Sequence, residues 1–166
     1  MVDGLFFTSE IIFFILCLET SECGETVAGI VGFPDGTTNI KNCSVTNAEL
    51  TNSTVSQGSF SACASGIIGH NYSDNNIDKC NVENVTLNGK AQLGGVLGFA
   101  GNASISNTSV RNITINDLSK DEAQRYYYQG IGGLVAACTN TLKSTNNSVK
   151  DLTINSINSS SVESTV

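Results

Sequence analysis

The only imidazole in this chain is His70, so any serine or cysteine nucleophile that needs a histidine base would have to lie beside it. When the chain is laid over itself, His70 falls at the same place as Phe33 and Phe99. That position predicts a planar side chain stacked at a corner rather than a general base. The acids Asp35, Glu49, Asp74, Asp78, Glu83 and Asp117 are scattered singly and read as solvated surface, with no carboxylate pair set apart. Lys79, Lys90, Arg111, Lys143 and Lys150 are not grouped with those acids in any recognisable pattern. None of the six cysteines, Cys17, Cys23, Cys43, Cys63, Cys80 and Cys138, forms a CxxC pair, and one histidine cannot complete a zinc set. These residues predict no catalytic centre, no metal site and no cofactor.

Recognition is a different matter. The segment from Asp117 to Gln129 breaks the surrounding Asn/Ser texture, and Ser119 could cap a short helix that leads into Arg125, Tyr126, Tyr127 and Tyr128. Exposed tyrosines beside an arginine offer large contact area at small entropic cost, so Arg125 and Tyr126 to Tyr128 are the candidate binding residues. The competing reading makes them a local cover on the side of the fold. Nine Asn-x-Ser/Thr sequons occur, at Asn42, Asn52, Asn71, Asn84, Asn102, Asn107, Asn112, Asn146 and Asn158. In a eukaryotic secreted protein they would make a glycan-coated rod; in a chain this rich in Asn, Ser and Thr, many arise from composition.

The elements that must carry these residues are repeated. Val27–Phe33, Ala64–His70, Leu93–Phe99 and Ile131–Ala137 share one apolar, Gly-bracketed pattern of strand size. Each is followed by a second pattern, Cys43-Ser44-Val45, Cys80-Asn81-Val82, Thr108-Ser109-Val110 and Asn147-Ser148-Val149, and then by a short apolar ending. A unit this small cannot bury its own apolar face, so the units must stack. Three strand-like pieces per unit predict an all-β fold, a short parallel, right-handed β-helix of about four coils. Its inward walls would be Ile30, Ile67, Val96 and Leu134; Val45, Val82, Val110 and Val149; and Ala48, Val85, Ile113 and Leu152. Asn47, Asn84, Asn112 and Asp151 would occupy a tight left-handed corner and form a polar ladder. Cys43 and Cys80 would lie about 4.8 Å apart on neighbouring strands. That is within disulfide range, although free stacked thiols are the preferred reading.

Composition bounds the rest. The 166 residues suffice for one domain, with a net charge of −7, 19 Asn, 20 Ser and a single proline, Pro34. That balance argues against helical repeats and against nucleic acid as a partner. Residues 1–22 hold the apolar run Ile11–Leu18, too short to cross a bilayer and lacking a positive lead-in. It is either a signal-like core or an apolar cap. Residues 23–155 carry the repeats, and 156–166 read as a polar tail.

The stretch from Gly94 to Val110 and the pair Gly29–Gly32 with Ile40–Val45 resemble the Glug motif, a Gly-Gly-Leu-Val-Gly run, a turn, and Ile-x-Asn-Cys-x-Val. The likeness covers most of residues 27–155. It implies a β-helical stalk of the kind carried by large secreted or surface-attached microbial proteins, including adhesins. The expectation is therefore a non-enzymatic, extracellular or cell-surface β-solenoid, a stalk or adhesion module, and a fragment of a longer repeat protein is compatible with it. Its partners would be a host or cell-surface glycan or protein, or further copies added end to end to cover exposed sheet edges. The alternatives are an ice- or glycan-binding β-helix that uses an outward row of Thr86, Thr114 and Thr153, broken at Glu49, and a polysaccharide lyase or hydrolase on the same scaffold.

Overall fold

The computed structural model describes residues 21–23, 26–53, 62–90, 92–119, 130–156 and 164–165. Those residues form strands and turns, without a helix, and the strands assemble into three sheets in which every pairing is parallel. The first sheet takes β1 (Ser21–Cys23), β4 (Ser44–Asn52), β7 (Asn81–Gly89), β10 (Ser109–Asp117) and β14 (Ser148–Ser156), side by side in that order. The second runs from β2 (Thr26–Ala28) through β5 (Cys63–Ser65), β8 (Gln92–Gly94) and β11 (Ile131–Gly132) to β15 (Ser164–Thr165). The third contains β3 (Thr38–Lys41), β6 (Ile68–Asp78), β9 (Leu97–Ser106) and β12 (Val135–Cys138), with β13 (Leu142–Thr145) also on β9.

Register follows the repeats. Val27 pairs with Ala64, Ala64 with Leu93, and Leu93 with Ile131; Val45 pairs with Val82, Val82 with Val110, and Val110 with Val149. Each predicted inward row is a row of packed side chains: Val45, Val82, Val110, Ala48, Val85, Ile113, Ile67 and Val96 are buried, while Ile30, Leu134, Val149 and Leu152 pack on them partly buried. Fully burying a Val, Leu or Ile contributes roughly 1.5–3 kcal/mol. The three walls supply it only when neighbouring repeats cover one another.

The left-handed corner is present. Asn47, Asn84, Asn112 and Asp151 have φ of 51–55°, and they interrupt β4, β7, β10 and β14 without ending them. In β7, Val82 and Val85 both face inward across two outward residues, Glu83 and Asn84. A strict two-residue alternation would have turned Asn84 inward, so the left-handed residue resets the phase. Asn tolerates that conformation because its short polar side chain relieves the cost that other L-residues carry.

Two features differ from the sequence reading. The Gly-bracketed run is not one strand: it bends at Gly66-Ile67 and its equivalents, leaving Cys63–Ser65 in the second sheet and sending Ile68 onward into the third. Gly66 makes the bend possible, since a Cβ there would lie 2.2 Å from the Gly95 carbonyl oxygen on the next repeat. The stretch before Cys43, which the sequence reading assigned to none of its three strand pieces, holds a strand, β3. It contributes a further inward row, Ile40, Ile77 and Ile105, and ends at a second left-handed corner of Asn42, Lys79, Asn107 and Asn146.

Candidate functional site

A thiol, an imidazole and an amide come together at Cys63, His70 and Gln92. β5 opens with Cys63, the bend at Gly66-Ile67 returns the chain so that β6 places His70 next to it, and β8 opens with Gln92 on the following repeat. The Cys63 thiol donates to Gln92 Oε1 at 3.0 Å and lies 4.0 Å from His70 Nδ1. All three are buried, and burial pushes the Cys63 thiol well above its ordinary pKa. The thiolate is the nucleophilic form, so a thiol held protonated in the interior is inert. His70 is roofed by aromatic rings, with centroid separations of 5.1 Å to Phe33 and 4.5 Å to both Tyr72 and Phe99. The expected contact of His70 with Phe33 and Phe99 is observed, with ring planes tilted by 52° and 44° and with His70 and Phe99 inside strands rather than at a corner, and Tyr72 joins it. Gln92 carried no sequence signal, because its role exists only once β8 lies against β5.

Outward residues form hydrogen-bonded rows across the repeats of the first sheet. Asn112 Nδ2 donates to Asn84 Oδ1 at 2.7 Å and Asn84 Nδ2 to Asn47 Oδ1 at 3.1 Å, which is the predicted polar ladder, turned to solvent. A parallel row joins Asn155 to Asn116 at 2.8 Å, Asn116 to Asn88 at 2.6 Å, and Asn88 to Thr51 at 3.0 Å. Between them Glu49, Thr86, Thr114 and Thr153 align in register.

The charged residues depart from expectation twice. Arg111 is paired with Glu83 across β10 and β7, its Nε donating at 3.1 Å, so it is grouped with an acid after all. Aligning the second repeated pattern would have found it, because both residues follow the inward valine by one. Asp117 is buried rather than solvated: its carboxylate accepts from the Ser119 backbone N–H at 3.0 Å, from the Ser119 hydroxyl, and from Ser156 Oγ at 3.0 Å. Asp78 accepts from Asn107 Nδ2 at 2.8 Å and Ser106 Oγ at 2.7 Å, and these bonds hold its carboxyl below the usual range. A shallow open groove on the third sheet runs past Lys41, Asp78 and Ser106. Among the described residues no group of three or more His, Cys, Asp or Glu side chains is placed to hold a metal. No helix among them is long and apolar enough to cross a membrane.

Cys43, Cys80 and Cys138 are free thiols. Cys43 and Cys80 donate to the Lys41 and Asp78 carbonyls at 3.2 and 3.4 Å, and burial raises the Cys80 pKa to about 11. Most sequons have a structural origin. Asn42, Asn84, Asn107, Asn112 and Asn146 are left-handed corner residues, each followed two positions later by an outward Ser or Thr. Asn71 is 2 % exposed, and its Nδ2 donates to the Gly36 carbonyl, Thr38 Oγ1 and Asn75 Oδ1, each at 3.0 Å. Asn52 is likewise buried, donating to the Cys63 carbonyl at 3.0 Å. Neither amide can carry a glycan in this fold. Arg125, Tyr126, Tyr127 and Tyr128, the apolar run Ile11–Leu18, and Asn158 lie outside the described residues.

Comparison of the chain with protein-family models, with curated proteins and with solved structures returned no match.

Proposed function

We propose that the three stacked parallel sheets are the walls of a short right-handed β-helix with Glug-like repeats, and that this β-solenoid is a non-enzymatic stalk or adhesion module at a cell surface or outside the cell. The observation that carries the reading is where the side chains are spent. Inward positions are apolar on every repeat and buried on the central ones, outward positions of the first sheet carry neutral rows bonded to one another, and the histidine and its neighbouring thiol are enclosed rather than offered to a substrate. Such a surface displays groups at fixed spacing and is unsuited to converging them on one reacting atom. A turnover screen over pectin-type and other acidic and neutral polysaccharides tests it. Release of oligosaccharide by the wild type, lost in a variant of an outward Asp or Lys, overturns the non-enzymatic reading.

A second reading has its own support. The outward row Thr86, Thr114 and Thr153, bordered by Asn88, Asn116 and Asn155, repeats with the strand spacing and suits an ordered lattice such as ice or a glycan crystal. A thermal-hysteresis assay that shows activity in the wild type and none in Thr114→Lys would move the assignment there.

A further inference from the structure

Phe33 and Tyr72 are 54 % and 53 % exposed, the rings stand edge to face with centroids 6.4 Å apart, and His70 and Phe99 support them from below. Burying the rings would remove apolar area from water, yet a bulge in β6 lies at Tyr72. β6 has one residue more than β9 between Asn71 and Asp74, so the chain bulges at Tyr72 and Ser73. A bulge re-aims a side chain at the cost of ladder hydrogen bonds. The bulge rests on Gly101, where a Cβ would lie 1.8 Å from the Tyr72 carbonyl oxygen. Two buried asparagines brace it: Asn71 Oδ1 accepts from the Ser73 N–H at 2.9 Å, and Asn75 Nδ2 donates to the carbonyls of Ser73 at 3.0 Å and Asn102 at 2.9 Å. Buried amides are costly unless satisfied, and these are satisfied by the backbone that shapes the bulge.

The surroundings are acidic. Asp35 follows Phe33 by two residues, on the exposed segment that leads into β3, where Thr38 pairs with Asn75 of β6. Asp74 follows Tyr72 by two residues and is exposed, like Asp35. Aromatic faces attract cations through the ring quadrupole, adjacent carboxylates add to that attraction, and the chain carries −7 overall.

We propose that Phe33 and Tyr72, flanked by Asp35 and Asp74, form a docking site for an arginine- or lysine-bearing segment of a partner protein. The proposal rests on the reading of this chain as a display scaffold and names the chemistry it would recognise.

Fluorescence anisotropy with a labelled short oligo-arginine peptide, at low and physiological salt, tests it, with oligo-glutamate and neutral cellulose- and chitin-type oligosaccharides as comparators. Tyr72→Phe should bind like the wild type and Tyr72→Leu about three- to fivefold more weakly, the loss expected for one exposed cation–π contact. Asp35→Asn combined with Asp74→Asn should weaken binding further, while Glu49→Gln, on the first sheet, should leave it unchanged. Equal peptide binding by Tyr72→Leu and wild type would reduce the effect to net charge and overturn the proposal. Salt-independent binding of a neutral oligosaccharide that needs Tyr72 would also overturn it, in favour of a glycan platform. Absence of peptide binding to the folded wild type would do the same. If Tyr72→Leu does not fold, the comparison of the two-aspartate variant with Glu49→Gln decides. None of these outcomes tests the non-enzymatic reading, which depends on the turnover screen.

Discussion

Val82 and Ser44 lie on adjacent strands, and they differ in which way they face. Val82 is 0 % exposed between Val45 and Val110, whereas Ser44 is outward and half-buried, beside Asn81. Val82→Asp places an unpaired carboxylate among apolar side chains and should cost roughly 2–5 kcal/mol or abolish folding. Ser44→Asp should stay within about 0.5 kcal/mol, the range for surface changes. Chemical denaturation of the two variants checks the face assignment, which fails if their midpoints shift equally. Asp78 gives the pH dependence. Hydrogen bonds from Asn107 and Ser106 lower its pKa in the folded protein, so it contributes stability above its unfolded pKa and loses it as the pH falls through the folded one. Thermal melts should show stability declining below the ordinary carboxylate range, and Asp78→Asn should flatten that decline.

Corners are the elements on which the strands depend. At the second left-handed corner three of the four repeats have asparagine, while the other has Lys79, with φ of 54°. Its backbone N–H donates to the Ser106 carbonyl at 3.1 Å, so the conformation is held by the sheet rather than chosen by the residue. A lysine in left-handed backbone costs about 1–2 kcal/mol more than glycine would. Lys79→Asn should therefore recover about 0.5–1 kcal/mol and raise the melting temperature. Asn107→Lys should move it in the opposite direction. Differential scanning calorimetry on the pair checks this, and the corner argument fails if both substitutions are neutral.

At the scale of the whole molecule, stability should vary along the stack. Val82, Val85, Val110 and Ile113 are covered on both sides and are at most 1 % exposed, while Val149, Leu152 and Ile154 of β14 are only partly buried. In a stack whose repeats contact only their neighbours, a repeat with less interface opens first. Amide hydrogen exchange should show strongest protection in β7 and β10 and weaker protection in β14. Uniform protection across these strands would mean that the stack opens as a single unit.

Periodicity in the chain was enough to determine the register, the inward rows Val45 to Val149 and the asparagine corner, because stacked repeats place equivalent residues in contact and an alignment of the sequence with itself is already a contact list. The contact of His70 with Phe33 and Phe99 was legible for the same reason. Features that break the repeat were not. The bend at Gly66 is set by how close the Gly95 carbonyl of the next repeat lies, and the bulge at Tyr72 by one additional residue braced on Gly101. The burial of Asp117 depends on Ser119 and Ser156, and the enclosure of Cys63 on Gln92, twenty-nine residues away along the chain. Repetition encodes the contacts that every repeat shares; contacts made once require the tertiary structure, because no second copy in the sequence announces them.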